Sequence, residues 1–345
     1  MFGCDHGGDI YGDLPIRLDA SVNTNPLGLP EQVLAAVRNG AAEDGRYPDP
    51  YCRALRGALA RHHGVTPERI VCGAGAADLI MRICAWLRPR RILVPSPTFS
   101  EYARCAALFG AKVQETPLRA DRGFAPDETF LDALTPEIDA VFLCQPNNPT
   151  GRLWEGELPE RIIRRCRENG TYLMVDECFL DFTDAPSLLP RQESYDRLLI
   201  LRAFTKFYAM AGLRLGYLVC PDRILAEHIA EYGAAWSVSA PAQRAGLAAL
   251  TAPLWRERTA ALVGKERRYL TQALGDMGVT VFPAAANFLL CRAEREVWKP
   301  LLERGILVRR CGNFTGLDDT YFRIGIKTEA ENRELIEALR EVLNG

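Results

Sequence analysis

Between roughly residues 70 and 220, short apolar runs alternate with longer amphipathic stretches, and this alternation constrains the fold more than any other property of the chain. The strand-like pieces are Arg91–Pro95, Ala140–Cys144, Tyr172–Val175, Leu198–Leu201 and Leu215–Val219. Between them Ala76–Leu87, Glu101–Gly110 and Glu157–Glu168 place leucine and isoleucine at helical spacing. Strands that alternate with helices predict an α/β domain around a mostly parallel central sheet. In such a sheet the loops that bind and react gather at the carboxyl ends of the strands.

From about Pro241 the pattern changes to one long helical region, Leu254–Met277, then strand candidates Val279–Phe282, Asn287–Cys291, Ile306–Val308 and Tyr321–Ile326. A closing helix over Glu329–Leu343 starts after Thr328, a residue type that caps helix N-termini. These pieces predict a small α+β C-terminal domain. The expected division is a large domain over 41–240 and a small one from 241–345 joined by the segment 1–40. At 345 residues the chain is long for a single core, which agrees with two unequal units.

A formal net charge of −2 without a basic run argues against a nucleic-acid surface. The longest apolar runs are about 6 to 8 residues, short of a bilayer span. Eleven cysteines, an odd number with no metal-ligand spacing, together with an N-terminus lacking a targeting pattern, predict reduced thiols and a cytoplasmic protein.

The chemistry concentrates in Ala203-Phe204-Thr205-Lys206-Phe207-Tyr208-Ala209-Met210-Ala211-Gly212-Leu213-Arg214. Apolar neighbours Phe204, Phe207 and Met210 would desolvate Lys206, which lowers a lysine pKa and frees its lone pair. Such an amine can form an imine, while the Thr205 hydroxyl and the Arg214 fork can hold an adjacent phosphate. Gly73-Ala74-Gly75-Ala76-Ala77-Asp78 lies between a strand ending at Cys72 and a helix. It is either an ordinary strand–helix turn or a phosphate site made by the N–H groups of Gly75 and Ala76.

Gln145-Pro146-Asn147-Asn148-Pro149-Thr150-Gly151 follows a buried strand and is either a plain turn or a rigid mount for the Asn148 amide. Asp176 ends the strand Tyr172–Val175; it is a helix cap, or a carboxylate that needs a cationic partner because burying it alone is costly. A protonated pyridine nitrogen is such a partner. Tyr47 in Arg46-Tyr47-Pro48-Asp49-Pro50 can contact a phosphate, and Phe99, or its neighbour Tyr102, can stack on a ring; each can equally be packing.

Lys206 with Arg214, Asn148 in NNPTG, Asp176 in DECFLDF and Tyr47 in RYPDP, in this order, resemble the class I/II aminotransferase superfamily of fold-type I pyridoxal phosphate (PLP) enzymes. Two families within it compete, the histidinol-phosphate aminotransferases and the threonine-phosphate decarboxylases of cobalamin biosynthesis. The decarboxylase resemblance is the closer and covers nearly the whole chain, through His6-Gly7-Gly8, Asn23-Thr24-Asn25-Pro26-Leu27-Gly28, Leu307–Phe314 and Tyr321-Phe322-Arg323. Phe179 stands where the aminotransferases usually carry a tyrosine, as is similar in the decarboxylases.

The resemblance implies a PLP-dependent transferase-like large domain and a homodimer in which Tyr47 serves the neighbouring subunit's site. It implies Lys206 as the catalytic lysine, with Gly75, Ala76, Phe99, Asn148, Asp176, Thr205, Arg214 and Tyr47 around the cofactor. It also implies a substrate pocket of His6, Gly7, Asn23, Asn148, Arg309 and Arg323, although taken singly either arginine could be a surface ion pair. The expected reaction is decarboxylation of L-threonine O-3-phosphate, with phosphoserine as a close alternative substrate. Histidinol-phosphate transamination is the second expectation, and a PLP-binding protein without catalysis the third. Two departures stand out: the stretch between Gly8 and Asp19 is shorter than in the decarboxylases, and Ala76 and Ala77 replace the usual acidic or hydroxyl residue of the phosphate loop.

Overall fold

The computed structural model describes residues 6–345; residues 1–5, at the start of the N-terminal segment, lie outside the described part. A seven-stranded sheet forms the centre, from β1 (Ile70–Gly73), β2 (Arg91–Ser96), β3 (Lys112–Pro117), β4 (Ala140–Cys144), β5 (Tyr172–Asp176), β6 (Leu198–Ala203) and β7 (Gly216–Val219). Their spatial order is β1-β7-β6-β5-β4-β2-β3. β3, β2, β4, β5 and β6 pair in parallel, and β7 alone runs against its neighbours β6 and β1. The sheet is therefore mostly parallel, as the alternation predicts.

The central strands are covered on both faces, and every residue of β4 and β6 is buried. That is why they read as unbroken apolar runs. β3, Lys-Val-Gln-Glu-Thr-Pro, carries no such run and shows no strand signal in its residues; it forms the sheet edge, where polar residues are tolerated. The helices α1 (Ala76–Leu87), α2 (Glu101–Leu108) and α3 (Leu158–Asn169) fall within two residues of their expected bounds.

A second, antiparallel sheet follows the long helix Trp255–Gly275. Its strands β8 (Thr280–Val281), β9 (Phe288–Arg292), β10 (Arg309–Arg310) and β11 (Tyr321–Gly325) lie in the order β10-β11-β9-β8. The expected strand over Ile306–Val308 is in fact divided. Ile306–Leu307 pairs in parallel with Leu18–Asp19, and the chain then joins the antiparallel sheet at Arg309. The closing helix Glu329–Asn344 starts with a reciprocal cap, in which the Thr328 N–H donates to the Glu331 carboxylate at 3.0 Å.

Candidate active site

Five carboxyl ends of strands in the central sheet open into one cavity of about 780 Å³, β2 among them through Phe99 and Ser100. β1 leads into Gly75 and α1, β4 into Asn148, β5 ends at Asp176, and β6 runs into the short helix Phe204–Phe207 that carries Thr205 and Lys206. The topology thus gathers residues far apart in sequence, as parallel sheets do.

Lys206 lines this cavity with Asp176, Asn148, Thr205 and Phe179. Burial, reinforced by the nearby positive charge of Arg323, pulls the Lys206 amine down to about 8 from the 10.5 of an ordinary lysine. Asp176 is almost wholly buried; it accepts from the Tyr102 hydroxyl at 2.7 Å and from the Cys178 N–H at 2.9 Å. Burial pushes the Asp176 carboxyl up, and these donors together with the Lys206 charge offset that only in part. Both hydrogen-bond donors are neutral, so the carboxylate retains room for a cationic partner in the cavity. The arrangement also separates Phe99 from Tyr102. Phe99 lines the cavity, whereas Tyr102 is fully buried and committed to Asp176.

Ala76 and Ala77 open the first turn of α1 and line the cavity with Arg214. Gly75 precedes them at φ +90, and a side chain there would meet the Arg214 Nη2 at 2.6 Å. The loop therefore needs glycine for both conformation and space. The N–H groups at the N-terminus of α1, the Thr205 hydroxyl and the Arg214 guanidinium form a cradle for an anion.

At the other side Arg309 and Arg323 enter from β10 and β11, both buried. Arg323 donates to the Asn148 side-chain oxygen and, at 2.8 Å, to the Ser21 carbonyl. Its Nε is buried without a hydrogen-bond partner, as is the Nδ2 of Asn23, which also lines the cavity. Desolvation lowers the Arg323 guanidinium to about 10. His6 and Gly7 complete this wall. Two expected site residues do not line the cavity: Gly75, whose N–H is given to the Gly73 carbonyl at 2.8 Å, and Tyr47, which is 81% exposed, with its ring 4.7 Å from that of Trp236.

Sequence reasoning missed four polar lining groups, Ser21, Ser100, Glu101 and Arg104. The start of α2 at Glu101 was legible, but its approach to the N-terminal segment was not.

The residues present fit PLP. The cradle can take a phosphate, Asp176 can take a pyridinium, and Lys206 has the lowered basicity a carbonyl-reactive amine needs.

Known proteins agree with this fit. The family model described as aminotransferase class I and II matches residues 16–339. The chain is 39% identical to the threonine-phosphate decarboxylase of Salmonella typhimurium, over 100% of this chain and 98% of that one. The crystal structure of the histidinol-phosphate aminotransferase from Clostridium acetobutylicum superposes with a TM-score of 0.88 at 32% identity, covering 95% of this chain and 99% of the other. The histidinol-phosphate aminotransferase from Sinorhizobium meliloti, solved in complex with pyridoxal-5'-phosphate, gives 0.85 at 26% identity, over 96% and 91%.

Proposed function

Because the chain belongs to the class I and II aminotransferase family and is a PLP-dependent enzyme, we propose that it decarboxylates L-threonine O-3-phosphate, to give 1-aminopropan-2-ol O-phosphate for cobalamin assembly. One observation carries the reading: two buried arginines face each other at the cavity wall, and no carboxylate ion-pairs with Arg323 among the described residues. Such a wall calls for a ligand with two anionic groups, here a carboxylate and a phosphate. The full-length similarity to a threonine-phosphate decarboxylase points the same way.

In this reading Asn148, Asp176, Thr205, Arg214 and the N-terminus of α1 hold the cofactor, and Phe99 covers its ring. Bound there, PLP supplies an electron sink for the bond broken at the substrate α-carbon. Lys206 holds a proton at Nζ and delivers it to that carbon in the place of the carbon dioxide lost. Arg323, oriented by Asn148, and Arg309 fix which substituent stands perpendicular to the ring, so orientation decides which bond breaks. Phe179 packs edge-on against Phe288 with centroids 5.1 Å apart and offers no hydroxyl to the cofactor. The large unit over 41–240, the small unit from 1–40 and 241–345, a homodimer and a cytoplasmic location belong to the same proposal. The ten described cysteines are all free, which supports the last.

The test is direct: carbon dioxide released from phosphothreonine, with phosphoserine alongside, by the PLP-loaded protein. Histidinol-phosphate transamination is the competing reading, favoured by the 0.88 superposition. Loss of histidinol phosphate that depends on a keto acid, without carbon dioxide release, would establish it instead.

A further inference from the structure

Glu101 opens α2 with its carboxylate only 7% exposed, in the wall of a cavity otherwise suited to anions. A negative charge there needs an explanation. Arg104 grips it in a forked pair, Nε donating at 2.8 Å to Oε1 and at 2.9 Å to Oε2, with Nη2 closing on Oε2. His6 reaches the same carboxylate through Nε2 at 3.1 Å. Burial pushes the Glu101 carboxyl up, but Arg104 and then His6 more than offset it and leave it below the usual glutamate value.

An exposed helical Glu–Arg pair contributes little and needs no function. This one differs in two respects. Its carboxylate is buried, and its second partner comes from 95 residues away in the chain. The His6 ring also lies against Phe99, with centroids 5.8 Å apart. Behind His6, Gly7 sits so close to Ser21 that a side chain would meet its carbonyl oxygen at 2.6 Å, and the Gly8 N–H donates to the Ser21 hydroxyl at 2.8 Å. The segment 6–8 is thus held on one side by Ser21 and on the other by Glu101, with His6, Glu101 and Arg104 all lining the cavity.

We propose that Glu101 is a positioning residue for anion recognition: it fixes His6 and Arg104 at one wall of the cavity, where a phosphate monoester on the ligand meets them. This rests on the proposed function, in which the ligand is phosphorylated, and it adds Arg104 to the substrate-recognising groups. The contact with the carboxylate sets the plane of the His6 ring, while Arg104 is pre-ordered in one conformation.

The consequence has an unexpected sign. Deleting a negative charge beside an anion site should tighten anion binding on electrostatics alone. A positioning role requires the reverse. Calorimetric titration of the PLP-loaded protein with inorganic phosphate should show binding weakened about tenfold or more in Glu101→Ala, a loss of roughly 1.4 kcal/mol or more. Glu101→Gln, which keeps an acceptor oxygen, should fall between. The KM for phosphothreonine should rise likewise, with kcat within about threefold and the cofactor absorbance unchanged. Equal or tighter phosphate binding in both variants would overturn the proposal, as would a wild-type protein with no measurable phosphate binding. The phosphate titration does not depend on which amino acid is turned over. A wild-type protein that binds phosphate but releases no carbon dioxide would therefore sink the decarboxylase reading alone.

Discussion

Arg309 and Arg323 stand directly opposite each other across the antiparallel pair β10–β11, both with their side chains buried toward the same cavity. Like charges in that register destabilise a strand pair. Each guanidinium is also placed over an aromatic ring, Arg309 at 5.0 Å from the Phe314 centroid and Arg323 at 5.3 Å from that of Phe288. Such contacts offset part of the cost. The hydrogen bonds of Arg323 to Asn148 and the Ser21 carbonyl and of Arg309 to the Arg310 carbonyl offset more of it, and a bound dianion would lower it further.

Replacing Arg323 with alanine should therefore separate stability from activity. The variant loses a buried charge without a carboxylate partner, so the unliganded protein should melt no lower than wild type by more than a few degrees, while turnover falls about a hundredfold or more. Arg309→Ala should lose activity in the same way. Arg310 is exposed and forms a forked pair with Asp319 at 2.7 Å, so Arg310→Ala should keep activity within about twofold. Equal tolerance at Arg309 and Arg310 in a steady-state assay would remove the role assigned to this wall.

The lowered Lys206 pKa fixes the sign of a pH effect. Its folded value of about 8 lies below the unfolded 10.5, so the unfolded chain holds the proton more tightly between these values. Stability attributable to Lys206 is therefore lost as pH falls from 10.5 toward 8, and the penalty is complete below about 8. The stability advantage of Lys206→Met over wild type in the cofactor-free protein should thus be largest below pH 8 and shrink toward pH 10. Urea unfolding of both proteins at pH 7 and pH 10 measures it. A gap that widens with pH would contradict the burial argument.

Gly75→Ala should be costly out of proportion to one methyl group. The new carbon meets the Arg214 Nη2 at 2.6 Å, and φ +90 is strained for any L side chain. We expect destabilisation of about 1–3 kcal/mol and cofactor affinity reduced about tenfold or more, read by thermal melts and by PLP titration of the apo protein.

Tyr102→Phe removes one donor from Asp176 and leaves the fold otherwise intact. That donor helps keep the buried Asp176 ionised, so without it the carboxyl should rise further and PLP should bind more weakly, read by titration of the apo protein. Unchanged affinity would show that Asp176 stays ionised without the Tyr102 hydroxyl.

Tyr47 tests whether the site is shared between subunits. Its exposure within one chain suits a role in a neighbouring subunit. In a two-fold dimer, equal mixing of Tyr47→Ala and Lys206→Ala proteins builds one intact site in about half of the dimers. Activity should then recover to about a quarter of wild type from two nearly inactive parents. No recovery on mixing and refolding would place Tyr47 in its own subunit's function.

Local pattern was enough to specify the alternating α/β core, the buried strands β4, β5 and β6, and the cavity-lining ends of those strands. The physical reason is that burial on both faces demands apolar runs, and a strand end that turns to chemistry carries its Asn148, Asp176 or Lys206 beside them. Long-range packing supplied the rest. The polar edge strand β3 exists through pairing with β2, not through its own pattern. Tyr102 was assigned to Asp176 rather than to a ring face by a contact across 74 residues, and Arg309 was set against Arg323 by strand register. Glu101, an ordinary acid at a helix start in the sequence, became the mount for His6 only when α2 met the N-terminal segment. Periodicity reports which face of an element is buried, but not which distant residue it is buried against.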